Sequence, residues 1–398
     1  MFTTIVKCRV CSSDNLQNIF SLPKIPLAGD FKVNQITKDE EFPLDLLFCS
    51  KCKVVQIAQT IDLNRLFNTY AFSSSTIPSL VEHFRSYAKW IQSAISPKKV
   101  LEVGCNDGIL LEPLREMGIE TFGVDMSINI GDLARAKGLN VQSIKFGKEN
   151  LEQLKNWAGK VDLITASNAF PHNDDPNGFL QTAFEILNEN GAIVLEVMYA
   201  GSLQEDTQWD TVYHEHLHIH SLTSITYLLE LNGFTITHCE IVPMHAGSLR
   251  VIAKKGLHSP DTSTLSILAK ESETNLNTLS AWKVFNEKSL HSIEIVKNRL
   301  QELSKSGQVW AYGASGRATM WLNAAEMTYV QGVVDASPLR AGRFMPGIST
   351  PILSPSEFNT SAPEYVFVTA WNYLDKIVAQ HPNFTGKWIV PLPEYREL

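Results

Sequence analysis

Twice along this chain an apolar strand runs into a glycine-bearing turn, a helix, a second strand and an acid. The first copy comprises Val100–Val103, the turn Gly104 to Gly108, a helical stretch Ile109–Met117, the strand Glu120–Val124 and Asp125. The second runs from Gln308–Tyr312 through Tyr312-Gly313-Ala314-Ser315-Gly316-Arg317 and a helix to Ala325, then Tyr329–Val334 and Asp335. Such a unit suits a nucleoside: glycine lets backbone approach the ligand, and the acid accepts hydrogen bonds from ribose hydroxyls. Two of them commit the chain to an α/β architecture with two separate sheets.

The first turn reads Glu102-Val103-Gly104-Cys105-Asn106-Asp107-Gly108, whereas a dinucleotide site wants G-x-G-x-x-G. Glu102 and Asp107 would oppose a pyrophosphate and suit a ligand that carries an amino group and a sulfonium. A helix at Ile77–Ile95 precedes this unit. After it, strands are expected at Val161–Ala166, Ala192–Val197, Phe234–Ile241 and Ser248–Ala253, with helices at Phe179–Leu187 and Ile225–Leu231 and a turn at Asn188–Gly191. This reading closes a seven-stranded sheet near residue 255. Thr262–Ser306 then reads as one or two long helices. Around the second unit, Tyr365–Thr369 and Trp388–Val390 are expected strands and Tyr373–Gln380 a helix, giving a small Rossmann-like domain.

Ahead of both units stand Cys8-Arg-Val-Cys11 and Cys49-Ser-Lys-Cys52. Each CxxC sets two thiolates on a tight turn, and two such turns complete a tetrahedral zinc site with no open position, hence a structural one. The intervening segment holds Pro23, Pro26, Gly29 and Pro43, so the metal would supply much of the folding free energy of a module with little core. Cys105 and Cys239 read as small buried residues. Six cysteines in 398 residues are too few for a disulfide scaffold and fit a reducing cytoplasm.

Composition narrows the partners. The net charge is −8, and no Lys/Arg block is dense enough to track phosphates, which disfavours nucleic acid. No apolar run approaches the ~20 residues that cross a bilayer, and MFTTIVKCRVCSS lacks the features of a signal peptide.

Four of the eleven histidines crowd into Tyr213-His214-Glu215-His216-Leu217-His218-Ile219-His220. The zincin pattern H-E-x-x-H is not met. Alternation would place all four on one face of an extended segment, where they could bind metal or simply be hydrogen-bonded. The reading preferred here is an acid/base site, because neutral histidine accepts protons near neutral pH and an adjacent Tyr or Glu positions it.

Taken in order, a CxxC…CxxC module, an E-x-G-x-x-x-G core carrying Tyr213-His-Glu-His216, and a C-terminal Tyr312-Gly313-Ala314 unit resemble the sugar C-methyltransferases. That family methylates carbon 3 of nucleotide-linked 4-keto deoxysugars, and the resemblance spans essentially the whole chain. It implies a class I S-adenosylmethionine methyltransferase core (66–255) between a zinc module (1–65) and a helical linker with a nucleotide-sugar-binding Rossmann-like domain (256–398). By position, His216 would be the base that takes the C3 proton. Tyr213, Glu215 and His172 would stand beside it. Glu102, Gly104, Asn106, Gly108, Asp125, Met126 and Asn168 would hold the cofactor. Tyr70, Ser73, Ser74, Arg250, Tyr312, Arg317 and Arg343 would meet the substrate. Arg317 stands where the family usually has Lys, Phe72 where an aromatic hydroxyl often stands, and His245-Ala246-Gly247 replaces one glycine of H-G-G. The same residues would also serve another keto acceptor, or a non-catalytic nucleotide-sugar binding protein.

Overall fold

The computed structural model describes residues 2–35, 38–67, 70–361 and 363–398. Val-, Leu- and Ile-rich runs with both faces covered make the strands of a parallel sheet. The central one contains β1 (Lys99–Val103), β2 (Glu120–Val124), β3 (Val141–Gln142), β4 (Val161–Ser167), β5 (Leu187–Met198), β6 (Phe234–Val242) and β7 (Ser248–Lys255). Their spatial order is β3-β2-β1-β4-β5-β7-β6. β7 runs antiparallel to both β5 and β6, and the remaining pairs are parallel. This is the class I methyltransferase sheet. Order reverses between β1 and β4, so the carboxyl ends there open a crevice for a ligand. The helix before β1 spans Pro78–Ala94, with proline at its first turn where the missing N–H costs nothing.

Two expectations need correction. Asn188–Gly191 does not leave the sheet as a turn: it lies within β5, as a register shift against β4 between Leu187 and Ala192. Tyr329–Val334 shrinks to the two-residue strand β8 (Val333–Val334) because 327–330 is spent turning back from the preceding helix. β3 is too short to show periodicity, and no expectation covers it.

The C-terminal sheet adds β9 (Ile352–Leu353), β10 (Tyr365–Val368), β11 (Lys387–Val390) and β12 (Arg396–Glu397) to β8 and to the strand Val309–Tyr312. It is parallel apart from its last pair. Helices Thr262–Glu273 and Leu279–Leu303 connect it to the core.

At the N-terminus, Leu16–Pro26, Glu41–Cys49 and Val55–Ile57 form an antiparallel sheet. Its fourth strand is His218–Ile219, which comes from the core and pairs with Gln56 and Val55. A single contiguous cluster of buried side chains runs through all three regions, from Phe20 and Phe48 through Trp209 to Trp321 and Phe367. Among the described residues no helix is long and apolar enough to cross a membrane.

Candidate functional site: a cleft between two cradles

The first cradle is built by backbone. At the end of β1, Gly104 takes φ 71°, and a Cβ there would lie 2.3 Å from that of Ala169. Asn106, also left-handed at φ 49°, points its N–H at Asp125 Oδ2 (2.9 Å), while Ser127 N–H bonds Oδ1 (2.8 Å). Asp125 is thus fixed at the tip of β2. Around it, Glu102 and Asp107 are buried, and one carboxylate oxygen of each has no partner; the Oδ1 of Asn168 and the Oγ of Ser167 are likewise unpartnered. Burial first, then the nearby Asp125 and Asp107, pushes the Glu102 carboxyl far above the usual range. A concentration of carboxylates with unpartnered acceptors fits a cationic ligand with amino and sulfonium groups, as S-adenosylmethionine has.

The second cradle repeats the arrangement. Ala314 N–H and Ser337 N–H each bond an oxygen of Asp335 at 2.8 Å, and the hydroxyls of Ser315 and Ser337 are buried without partners. Gly313 takes φ 102° beside Ala370. Here, however, a cation is present: Arg340 Nη1 lies 3.1 Å from Asp335.

One cavity of about 650 Å3 joins the two cradles. Between them stands the turn Tyr213–His216. The His216 Nδ1–H donates to the Thr211 carbonyl at 2.6 Å, so Nε2 carries the free lone pair. Its ring sits between Tyr213 (centroids 3.9 Å apart) and His172 (5.2 Å, stacked), and His172 stacks in turn on Phe67. The Nε2 of His172 is buried and unpartnered. Burial holds His172 down at about 4, and burial together with His172 holds His216 well below its ordinary value, so both are neutral at pH 7. His245, at φ 51° on the cavity wall, is likewise held at about 4 by burial and the adjacent Arg317. Burial raises Glu215 to about 7.

The four clustered histidines do not share a face, because 213–216 is a turn and only 218–219 is strand. His214 points away, donating from Nε2 to the Pro43 carbonyl at 3.1 Å. His218 donates to the Asn173 carbonyl (3.2 Å) and accepts from His220 (2.9 Å), whose other nitrogen meets Ser224. Hydrogen bonding accounts for these three, which leaves His216 to the cavity.

Of the remaining residues singled out by sequence, Gly104, Asn106, Asp125, Met126, Asn168, Tyr70, Ser74, Tyr312, Arg317, Tyr213 and Glu215 line the cavity. Several do not. Glu102 lies beneath its floor, and Gly108 makes the turn against Leu139. Ser73 gives its hydroxyl to Asp107. Arg250 is locked between Glu196 (2.7 Å) and Glu240 (2.9 Å) under Tyr87 and Trp90, away from the residues that line the cavity. Arg343 reaches the Phe31 carbonyl at 3.4 Å, its one side-chain hydrogen bond among the described residues. Arg317 reaches the cavity wall, yet its guanidinium is engaged by Asp210, Gln208 and the His245 carbonyl. The Tyr312 hydroxyl donates to His381 (2.8 Å). Sequence reasoning misses Arg340, Gly29 and Thr211. Arg340 follows Asp335 by one turn, a spacing that could have flagged it; a backbone carbonyl and a loop glycine carry no such signal.

The four-cysteine set closes as spaced. The sulfurs of Cys8, Cys11, Cys49 and Cys52 lie within 4.8 Å of one another, with Cys8–Cys52 and Cys11–Cys49 at 3.5 Å. A Zn–S bond of about 2.3 Å places tetrahedral ligands about 3.8 Å apart, so the set fits zinc. Each CxxC is followed by a left-handed residue, Ser12 (φ 55°) and Lys53 (φ 64°), whose N–H returns to the first cysteine's carbonyl.

The chain matches three family models in sequence: "Putative zinc binding domain" over residues 8–67, "Methyltransferase domain" over 80–239 and "C-methyltransferase C-terminal domain" over 243–393. It is 28% identical to C-methyltransferase NovU of Streptomyces niveus, across 98% of this chain and 96% of that one. The chain is an S-adenosylmethionine-dependent C-methyltransferase homologue. Its methyltransferase part alone is also similar to the ubiquinone biosynthesis O-methyltransferase of Acinetobacter baumannii, 32% identical across 26% of this chain and 46% of the other. Among solved structures it resembles the magnesium protoporphyrin IX methyltransferase of Synechocystis PCC 6803, at 16% identity and TM-score 0.36, over 44% of this chain and 83% of that one. The residues present fit S-adenosylmethionine at the Asp125 cradle and zinc at the four cysteines, in keeping with the methyltransferase and zinc-binding family models.

Proposed function

We propose that this C-methyltransferase homologue methylates a carbon of a nucleotide-linked 4-keto deoxysugar. The observation that carries the reading is the single cavity, which runs from the Asp125 cradle past His216 to the Asp335 cradle. An acceptor with its own nucleoside would occupy the second cradle and present its sugar at the turn Tyr213–His216. On this reading the parts are a zinc module (1–65), a methyltransferase core (66–255) and a nucleotide-sugar domain (256–398).

S-adenosylmethionine, when bound, supplies an electrophilic methyl group. The chain supplies the base: Thr211 fixes the tautomer of His216, so Nε2 takes the proton from the carbon α to the ketone. The electron pair left on that carbon delocalises onto the ketone oxygen as an enolate before the carbon receives the methyl. Tyr213 and the unpartnered Nε2 of His172 stand ready to hydrogen-bond that oxygen. A cleft walled by neutral rings makes the developing charge dependent on these fixed donors.

The experiment is turnover of a dTDP-linked 4-keto-6-deoxyhexose with S-adenosylmethionine, beside His216→Ala. Wild type should transfer methyl, and the variant should lose about 10²–10⁴-fold in kcat while still binding S-adenosylhomocysteine by calorimetry. Full turnover by His216→Ala would refute the base assignment, and methylation of only non-nucleotide ketones would refute the substrate class.

A further inference from the structure

The catalytic turn is held from behind by the N-terminal module. Gly29 packs directly against the Glu215 carboxyl, leaving no space between them for a side chain. The Pro43 carbonyl takes the Nε2–H of the fully buried His214, and Ile57 N–H bonds the Leu217 carbonyl at 3.0 Å. Gln56 pairs as backbone with His218 and, through its side chain, donates to Cys8 Sγ at 3.2 Å. Ala28 and Gly29 themselves line the cavity. Their loop is pinned from the other side by the C-terminal domain, where Thr319 Oγ1 donates to the Ala28 carbonyl at 3.1 Å. The turn that carries the base is therefore gripped at residues 214, 215 and 217 by segments that the four-cysteine site folds.

We infer that the N-terminal module is a wall of the active site, and that its Gly29 is a positioning residue, setting where the Glu215 carboxyl stands on the cavity wall. The inference rests on the reading of Tyr213–His216 as the reacting centre. Gly29 has room for no side chain: a Cβ there would stand 2.9 Å from Glu215 Oε1. The atom in the way is the far end of a flexible side chain, so alanine moves the carboxyl and spares the fold. The groups that face Glu215 are Arg340 from the C-terminal domain, Tyr70 from the strap ahead of the core and Tyr213 on its own turn.

The test compares zinc-loaded full-length wild type with Gly29→Ala. In a carbon-13 titration of labelled glutamates, the Glu215 signal is identified by its absence from Glu215→Gln. Displacing the carboxyl changes its neighbours, and the Glu215 midpoint is expected to move by about half a pH unit or more in Gly29→Ala. Zinc content and S-adenosylhomocysteine affinity should stay as in wild type. On the dTDP-linked 4-keto-6-deoxyhexose, kcat should fall about tenfold with KM little changed, since small misplacements at a reacting centre are costly. Adding Glu215→Gln to Gly29→Ala should then cost no more than Glu215→Gln alone, because the two act through one contact. An unmoved Glu215 midpoint, or fully additive losses, overturns the inference. If His216→Gln and Glu215→Gln both turn over normally while the midpoint moves in Gly29→Ala, the clamp stands and the reading of the reacting centre falls.

Discussion

At Asp125 and at Asp335 the chain does the same thing with its backbone. In each, one N–H from the glycine turn and one from two residues past the acid hold the two carboxylate oxygens, at 2.9 and 2.8 Å in the first and 2.8 and 2.8 Å in the second. The surroundings differ in sign. Asp125 is crowded by Asp107 and Glu102, and burial raises it. Asp335 is paired with Arg340, which also donates to the Ala71 carbonyl and lies over Phe31 and Phe72. One backbone frame thus stands in two electrostatic settings. The side chains around it decide whether it favours a cation or an anion.

Acid should separate the two halves most strongly. His172, His214 and His245, in or beside the turn Tyr213–His216, are held at about 4. Their depressed values add stability that is present above pH 6.5 and lost as pH falls toward 4, at most about 1.4 kcal/mol per group per pH unit. Glu215, raised to about 7, acts in the opposite sense: its contribution is present below pH 4.5 and lost as pH rises through 7. Hydrogen exchange at pH 7 and pH 5 should show protection falling further in the central sheet than in the C-terminal sheet. Equal loss in both would break the contrast.

Next in size is Asp125→Ala. S-adenosylhomocysteine affinity should drop by about 2–3 kcal/mol, the worth of hydrogen bonds to a charged group, with nucleoside diphosphate affinity intact. Asp335→Ala should do the reverse, more mildly, because Arg340 remains to meet an anion; calorimetry with both ligands on both variants reads the crossover. If either variant lost both ligands equally, the cradles would not be independent. The smallest effect belongs to Arg343→Ala. Its long bond to the Phe31 carbonyl, the one it makes among the described residues, predicts nucleotide affinity within about twofold of wild type.

Much of this architecture is legible in the order of residues. Strand β2 begins and ends where the run of apolar residues places it, and the four-cysteine set closes as its spacing requires, since both are local. The histidine cluster shows where local reading stops. Alternation over 214–220 suggests one face, but the segment turns at Tyr213, and its four rings part toward Pro43, the cavity and Asn173. Arg250 and Arg343 likewise have the right charge near the right motif. Glu196, itself fully buried, captures the first, because an unpaired charge there would be far costlier than a paired one.

The sequence by itself determined that this chain carries two glycine-turn cradles, each ending in an acid, and a four-cysteine module, because glycine turns, terminal acids and paired thiolates act over a few residues. Tertiary structure alone decided which residues face one another across the cleft. Arg340 meets Asp335, Thr211 sets the tautomer of His216, and Gly29 leaves room for Glu215 through contacts whose energies depend on burial and distance. No spacing along the chain encodes those two quantities.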